Sequence, residues 1–190
     1  MNMTVLDIPI VRQKDVLVVG GGCAGLAAAV SAAKHGAKVL LADRNGCLGG
    51  TATAGLVGPF MTNYDPRGER PVIRGVYEEV IERMARRQGA IRPAEVLAGT
   101  SYTGYRVYGH AHCAPFDAET FKLVAEEMCE EYGVELLYHA MFLDVAMNEA
   151  EDQITGVIFA TKAGLIQVCA KEIIDCSGDA DVAYRSGVPM

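Results

Sequence analysis

Six residues, Gly20-Gly21-Gly22-Cys23-Ala24-Gly25, restrict what this chain can fold into more than any other stretch of it. They fit the spacing G-x-G-x-x-G, and their flanks give that spacing its meaning. Before them, Asp15-Val-Leu-Val-Val-Gly20 is a short, continuous apolar run, as a parallel strand buried on both faces requires. After them, residues 23–35 are rich in alanine. Leu26, Ala29, Val30 and Ala33 share one helical stripe, and Gly36 stands where a helix C-terminal glycine belongs. Residues 38–42 read as a second buried strand. The pattern predicts a strand–helix–strand unit with a right-handed crossover. In such a unit the first glycine permits the tight turn, the second lets the backbone approach a pyrophosphate, and the third lets helix close on strand. The phosphates then rest on backbone N–H groups at the start of the helix. Asp43, 18 residues after Gly25, stands where an acidic group takes the hydroxyls of an adenosine ribose.

The same region carries a false signal. Val16 to Ala33 holds no charge over 18 residues, enough for a membrane span, and Arg12 and Lys14 precede it like the basic end of a signal peptide. Gly20, Gly21, Gly22 and Gly25 interrupt the run, which suits a strand, turn and helix and makes a poor membrane helix. No membrane segment is expected. A net charge of −7 argues against a nucleic-acid partner, which needs a basic footprint. With 51% hydrophobic and 22% charged residues the chain can bury a core and is not a disordered one. Its six cysteines, Cys23, Cys47, Cys113, Cys129, Cys169 and Cys176, include no C-x-x-C pair. They read as packed thiols in a cytoplasmic protein, with neither a disulfide framework nor a metal site.

Further along, residues 44–71 read as loop. Val76, Val80 and Met84, with Tyr77 and Ile81 alongside, predict a helix over 72–88 ended by Gly89. Residues 89–115 show no clear period, with extended structure expected around Tyr105 to Tyr108. Asp117 caps the next helix, and Phe116 and Phe121 are placed for a hydrophobic staple. Its core stripe is Phe121, Val124, Ala125, Met128 and Tyr132, and Gly133 ends it. Strands are expected at 134–138, 141–147, 154–161 and 165–170, then a separate last strand at 173–176 running into Ser-Gly-Asp-Ala-Asp181.

Directly after the acidic residue comes Cys47-Leu-Gly49-Gly50-Thr51-Ala-Thr-Ala54. Here the chain resembles the FAD-dependent oxidoreductases of the glutathione-reductase-like structural group, which carry such an LGG or GGT segment after the ribose acid. Phe116-Asp-Ala-Glu-Thr-Phe-Lys122, Gly133-Val-Glu-Leu-Leu137, Thr155-Gly-Val-Ile158 and Ile173-Ile-Asp-Cys-Ser-Gly-Asp-Ala-Asp-Val182 look like successive blocks of one such family. The resemblance implies an α/β fold: a Rossmann-like FAD-binding domain with a parallel sheet of order 3-2-1-4-5 and a three-stranded β-meander, here lacking the fifth strand. It implies FAD as cofactor, bound by a domain of residues 1–56 and 116–190, with 57–115 an inserted helical and loop segment. It places Gly20, Gly22, Cys23, Ala24 and Gly25 at the pyrophosphate, Asp43 on the ribose, and Arg44 beside ribose or adenine. Gly49, Gly50 and Thr51 follow along the diphosphate, the backbone near Phe142 faces the adenine, and Gly178 and Asp179 belong to the last block. Disulfide reductases of the group have Cys-x4-Cys after GGT. Ala52 and Val57 hold those places here, so a dithiol mechanism is not expected and Cys47 reads as a packed thiol.

Arg67, Arg70, Arg74, Arg83, Arg86, Arg87, Arg92 and Arg106 concentrate cations in an otherwise acidic chain. They suit either an anionic substrate or a solvated helix face with Glu–Arg pairs, and the second is the better reading. Tyr102, Tyr105, Tyr108, His110 and His112 offer proton donors, but their spacing defines no catalytic set. The expected function is the FAD-binding portion of a flavin-dependent oxidoreductase acting on a small molecule. A non-catalytic or split FAD-binding subunit is the alternative, and an NAD-dependent dehydrogenase the third, against which the Gly-Gly-Thr and Cys-Ser-Gly-Asp blocks count. An open edge at Ile173, Ile174 and Cys176 would be covered by a partner chain, by a second copy or by the remainder of a longer parent protein.

Overall fold

The apolar runs on either side of the glycine turn pair as parallel strands, and the rest of the sheet is built outward from them. The computed structural model describes residues 8–61, 63–96 and 112–189. In chain order the elements are β1 (Ile10–Val19), α1 (Cys23–Lys34), β2 (Val39–Ala42), α2 (Val76–Arg86), α3 (Ala118–Glu131), β3 (Glu135–Leu137), β4 (Met141–Met147), β5 (Ile154–Thr161), β6 (Gly164–Asp175) and α4 (Asp181–Arg185). They fall into two units, one of Met1–Leu48 with Cys129–Met190 and one of Gly49–Met128.

The first unit holds one six-stranded sheet of order β3-β2-β1-β6-β5-β4. β1 runs parallel to β2 and β6, and β2 parallel to β3, while β4, β5 and β6 form an antiparallel meander. This is the α/β, Rossmann-like arrangement that the sequence implies, with β3, β2, β1 and β6 in the expected order 3-2-1-4. Leu17, Val19, Leu40, Val157, Phe159, Val168 and Val182 pack into one buried cluster. Fully burying a Leu, Val or Phe side chain contributes on the order of 1.5–3 kcal/mol, which is why these runs become strands at all.

Three expectations need correction. The strands expected at 165–170 and 173–176 are a single strand, β6. Lys171-Glu172 reads as a break, but the chain stays extended because Cys169 to Asp175 lies beside β1, and Lys171 Nζ meets Asp15 at 2.7 Å. β1 begins at Ile10, not Asp15. Its polar first half is held by pairing with β6 and by Glu135, which accepts Arg12 at 2.7 Å and Lys14 at 2.5 Å. α2 starts at Val76, not Val72, because Gly75 precedes it at φ +72°, a conformation that breaks a right-handed helix. The uncharged run from Val16 resolves into the end of β1, the glycine turn and a 12-residue helix. Among the described residues no helix is long and apolar enough to cross a membrane.

In the second unit α2 buries Val80, Ile81 and Met84. Phe60 stacks on Phe116 at 4.4 Å and meets Tyr77 and Phe121 edge-on at 5.7 Å. Phe116 and Phe121 approach to 5.9 Å across the start of α3, and Asp117 Oδ1 accepts the Thr120 N–H and hydroxyl at 2.7 Å, so staple and cap both form. The expected extended stretch at 105–108 lies outside the described residues.

Candidate cofactor-binding site

The glycine turn carries three distinct steric demands. Gly20 sits at φ +101°, and a Cβ there would stand 2.2 Å from the Cys176 carbonyl oxygen. A Cβ on Gly25 would come within 1.8 Å of the Gly20 carbonyl oxygen, so helix and strand close on one another only over a glycine. Gly22 differs: at φ −67° its Cβ would meet nothing within 4 Å. The open side of the turn is therefore at Gly22, which also serves as N-cap of α1 and supplies the carbonyl for the first helical bond, from Leu26 N–H at 2.9 Å. The first turn of α1 has no side-chain cap and no acidic residue. A positive helix end facing open space beside a glycine is what a diphosphate fits.

Asp43 directly follows β2 and is buried, 7% exposed. Oδ2 accepts the Gly21 N–H at 2.6 Å and Oδ1 the Asn45 N–H at 2.6 Å. The carboxylate thus holds the glycine turn in place and keeps further lone pairs for hydroxyl donors. Gly21, which the motif treats as a spacer, is also closely confined: its Cβ would stand 2.6 Å from Leu48 and 3.1 Å from Asp43. Beside this clasp is a pocket of about 90 Å³ lined by Gly20, Asp43, Arg44, Phe142, Ser177 and Asp181, among others. Four of the expected cofactor residues, Gly20, Asp43, Arg44 and Phe142, are brought together there from three separate parts of the chain.

The wall formed by Ser177 and Asp181 comes from a residue that sequence reasoning passed over. Asp175 Oδ1 accepts the Ser177 N–H and Oδ2 the Ala183 N–H, both at 3.0 Å. Burial alone would raise the Asp175 pKa. The hydrogen bonds from Ala183, Ser177 and Val182 outweigh it and hold the carboxyl below the usual range. Within this loop Gly178, at φ +98°, and Asp179 are exposed and do not line the pocket.

Gly49, Gly50 and Thr51 belong to the second unit. Gly49 sits at φ +102°, against Thr53, and opens a short 3-10 turn over Gly50–Ala52. The arginines of that unit are spent on carboxylates: Arg74 on Glu78, Arg83 on Glu79, Arg86 on Glu82, Arg92 on Glu82 and Glu95, Arg87 on Glu127. Arg67 and Arg70 lie 3.6 Å from Glu69 and Asp65. The carboxylate pairing expected of this cluster therefore holds for all of them except Arg106, which lies outside the described residues; the helix face itself carries only Arg83 and Arg86. Tyr102, Tyr105, Tyr108 and His110 also lie outside them. His112 stacks on Tyr64 at 4.2 Å, with its Nδ1 3.1 Å from the Pro93 carbonyl.

The family model described as FAD dependent oxidoreductase matches residues 15–190. This chain belongs to that FAD-dependent oxidoreductase family. Its cofactor is FAD. A stretch of 43 residues is 60% identical to glutathione reductase of Schizosaccharomyces pombe, covering 23% of this chain and 9% of that protein. The fold is similar to that of THI4 from Thermovibrio ammonificans, with a TM-score of 0.58 and 19% identity over 91% of this chain and 61% of that one. It is also similar to 3-ketosteroid-Δ4-(5α)-dehydrogenase from Rhodococcus jostii RHA1, with a TM-score of 0.56 and 15% identity over 89% of this chain and 46% of that one. This family member thus spans less than two thirds of the length of each of these proteins.

Proposed function

We propose that the first unit binds the ADP half of FAD at the C-terminal ends of β1, β2 and β6, and that the whole protein oxidises or reduces a small molecule through that flavin. Gly20, Gly22, Cys23, Ala24 and Gly25 take the pyrophosphate, Asp43 the ribose hydroxyls, Arg44 the edge of ribose or adenine, and the backbone at Phe142 the adenine. Gly178 and Asp179 lie on the loop that continues this wall. Once bound, FAD supplies the redox group, and the chain's own residues bind, orient and shield it. The carrying observation is the convergence of Gly20, Asp43, Arg44 and Phe142 on one pocket beside the open face of Gly22. Six cysteines outside any disulfide suit a reducing, cytoplasmic setting for this work.

Titration of the purified chain with FAD, followed by flavin absorbance and fluorescence, tests the reading. Stoichiometric binding that NAD does not displace supports it. No saturable FAD binding, or binding of NAD in its place, overturns it.

A second reading, a subunit that turns over only with another polypeptide, draws support from the sheet. Among the described residues no strand pairs with Cys169 to Asp175 on the side away from β1, since β5 pairs with β6 only as far as Val168.

A further inference from the structure

We propose that Asp175 is a positioning residue for the adenosine end of FAD, fixing the loop from Ser177 to Asp181 against the glycine turn so that the pocket is shaped before the cofactor arrives. The inference rests on the reading above that this pocket takes FAD. Asp175 does not line the pocket and acts through the backbone it holds.

At the end of β6 the chain must leave the sheet and enter α4 within a few residues. One carboxylate spans that passage, taking the Ser177 N–H on one oxygen and the Ala183 N–H on the other. The loop is then closed on itself by Asp181 N–H to Ser177 Oγ at 2.9 Å. Cys176 N–H reaches the Val19 carbonyl at 2.8 Å, which sets the loop directly behind Gly20. There the Cys176 carbonyl oxygen and Ser177 Cα stand 2.2 Å and 3.0 Å from where a Gly20 Cβ would lie. A loop released from Asp175 can move away from the turn, and the wall carrying Ser177 and Asp181 moves with it. Val182 also anchors α4 in the buried cluster, and Arg185 forks onto Asp144 of β4 at 2.6 and 3.0 Å. Both partners of that pair are exposed by 40% or more, so water and salt screen it. Charge-assisted bonds to backbone N–H groups in a half-buried place are the stronger hold.

The test is FAD affinity of the full chain, with ADP titrated in parallel, in Asp175→Ala, Asp175→Asn, Asp144→Ala and Asp43→Ala. Asp175→Ala should weaken both ligands about ten-fold or more, and Asp175→Asn by less, because its amide keeps one of the two acceptors. Asp144→Ala should change either by about three-fold at most. Met84→Ala, a truncation on the buried face of α2 and not among the residues that line the pocket, controls for general loss of stability: it should lower Tm and leave affinity within about two-fold. If Asp175→Ala does not fold, Asp175→Asn carries the comparison. Wild-type affinity in the Asp175 variants, with Asp43→Ala weakened, overturns this inference and leaves the FAD reading standing. So does a loss in Met84→Ala equal to that in Asp175→Ala. No binding of FAD by the wild-type chain removes both.

Discussion

Gly22 and Gly25 are separated by two residues and face opposite constraints, which makes them separable by mutation. A Cβ on Gly25 would strike backbone, the Gly20 carbonyl oxygen at 1.8 Å, and no side chain can swing away to relieve it. Gly25→Ala is expected to lower Tm sharply or to yield insoluble protein, read by thermal denaturation. Gly22→Val meets open space at an ordinary φ. It should fold with near wild-type Tm and lose FAD, because its side chain fills the approach of the diphosphate. Asp43→Ala should weaken FAD by about 1.5–3 kcal/mol, the range for removing a charged hydrogen-bond partner. Gly22→Val should cost more than that in the same titration. The reverse order would place the diphosphate elsewhere. Part of the Asp43 effect should come through Gly21, whose N–H the carboxylate also holds, so amide exchange at Gly21 should speed up in Asp43→Ala even without FAD.

At the scale of elements, the loop after β6 should be one acid-sensitive part of the first unit. The Asp175 carboxyl is held below its usual value, so its contribution is complete above about pH 4, the unfolded range for Asp. It is lost as pH falls through the lowered folded value. Acid unfolding should therefore show wild type more stable than Asp175→Asn near neutrality, with the gap closing at the acid end. A gap that stays constant down to the acid limit would show that the charge of Asp175 is not what holds the loop. β1, α1 and β2 were legible in the sequence because apolar continuity, an alanine-rich stripe and glycine spacing all agree over neighbouring residues. β6 was not legible as one strand, because Lys171-Glu172 is polar and its reason to stay extended is β1, distant in sequence. The glycine turn was legible from its spacing together with the strand and helix that flank it. Asp175 was not, because its second partner, Ala183, lies eight residues on and nothing local marks the bond. Nor could the sequence reveal that Asp43 clasps Gly21, since a spacer position carries no pattern.

For the whole molecule, the unpaired side of residues 169–175 is the feature to test in solution. Extended backbone with open N–H and C=O groups recruits another strand. Light scattering of the purified chain should give a mass above that of one 20.3 kDa chain, and a strand-breaking Ile174→Pro should alter it. A sharp monomer peak at micromolar concentration would refute the association. β6 has a further consequence, which concerns the order of synthesis. It completes β1 from far downstream: Lys171 and Asp15 meet across 156 positions. At roughly 5–20 residues per second, a ribosome delivers β6 on the order of 8–30 s after β1. During that interval β1, whose second half is apolar on both faces, waits without a neighbour on one side and without the Cys176 carbonyl that backs Gly20. The nucleotide cradle is therefore completed only when β6 arrives, although its glycine turn is encoded first, so FAD loading is expected to wait for β6.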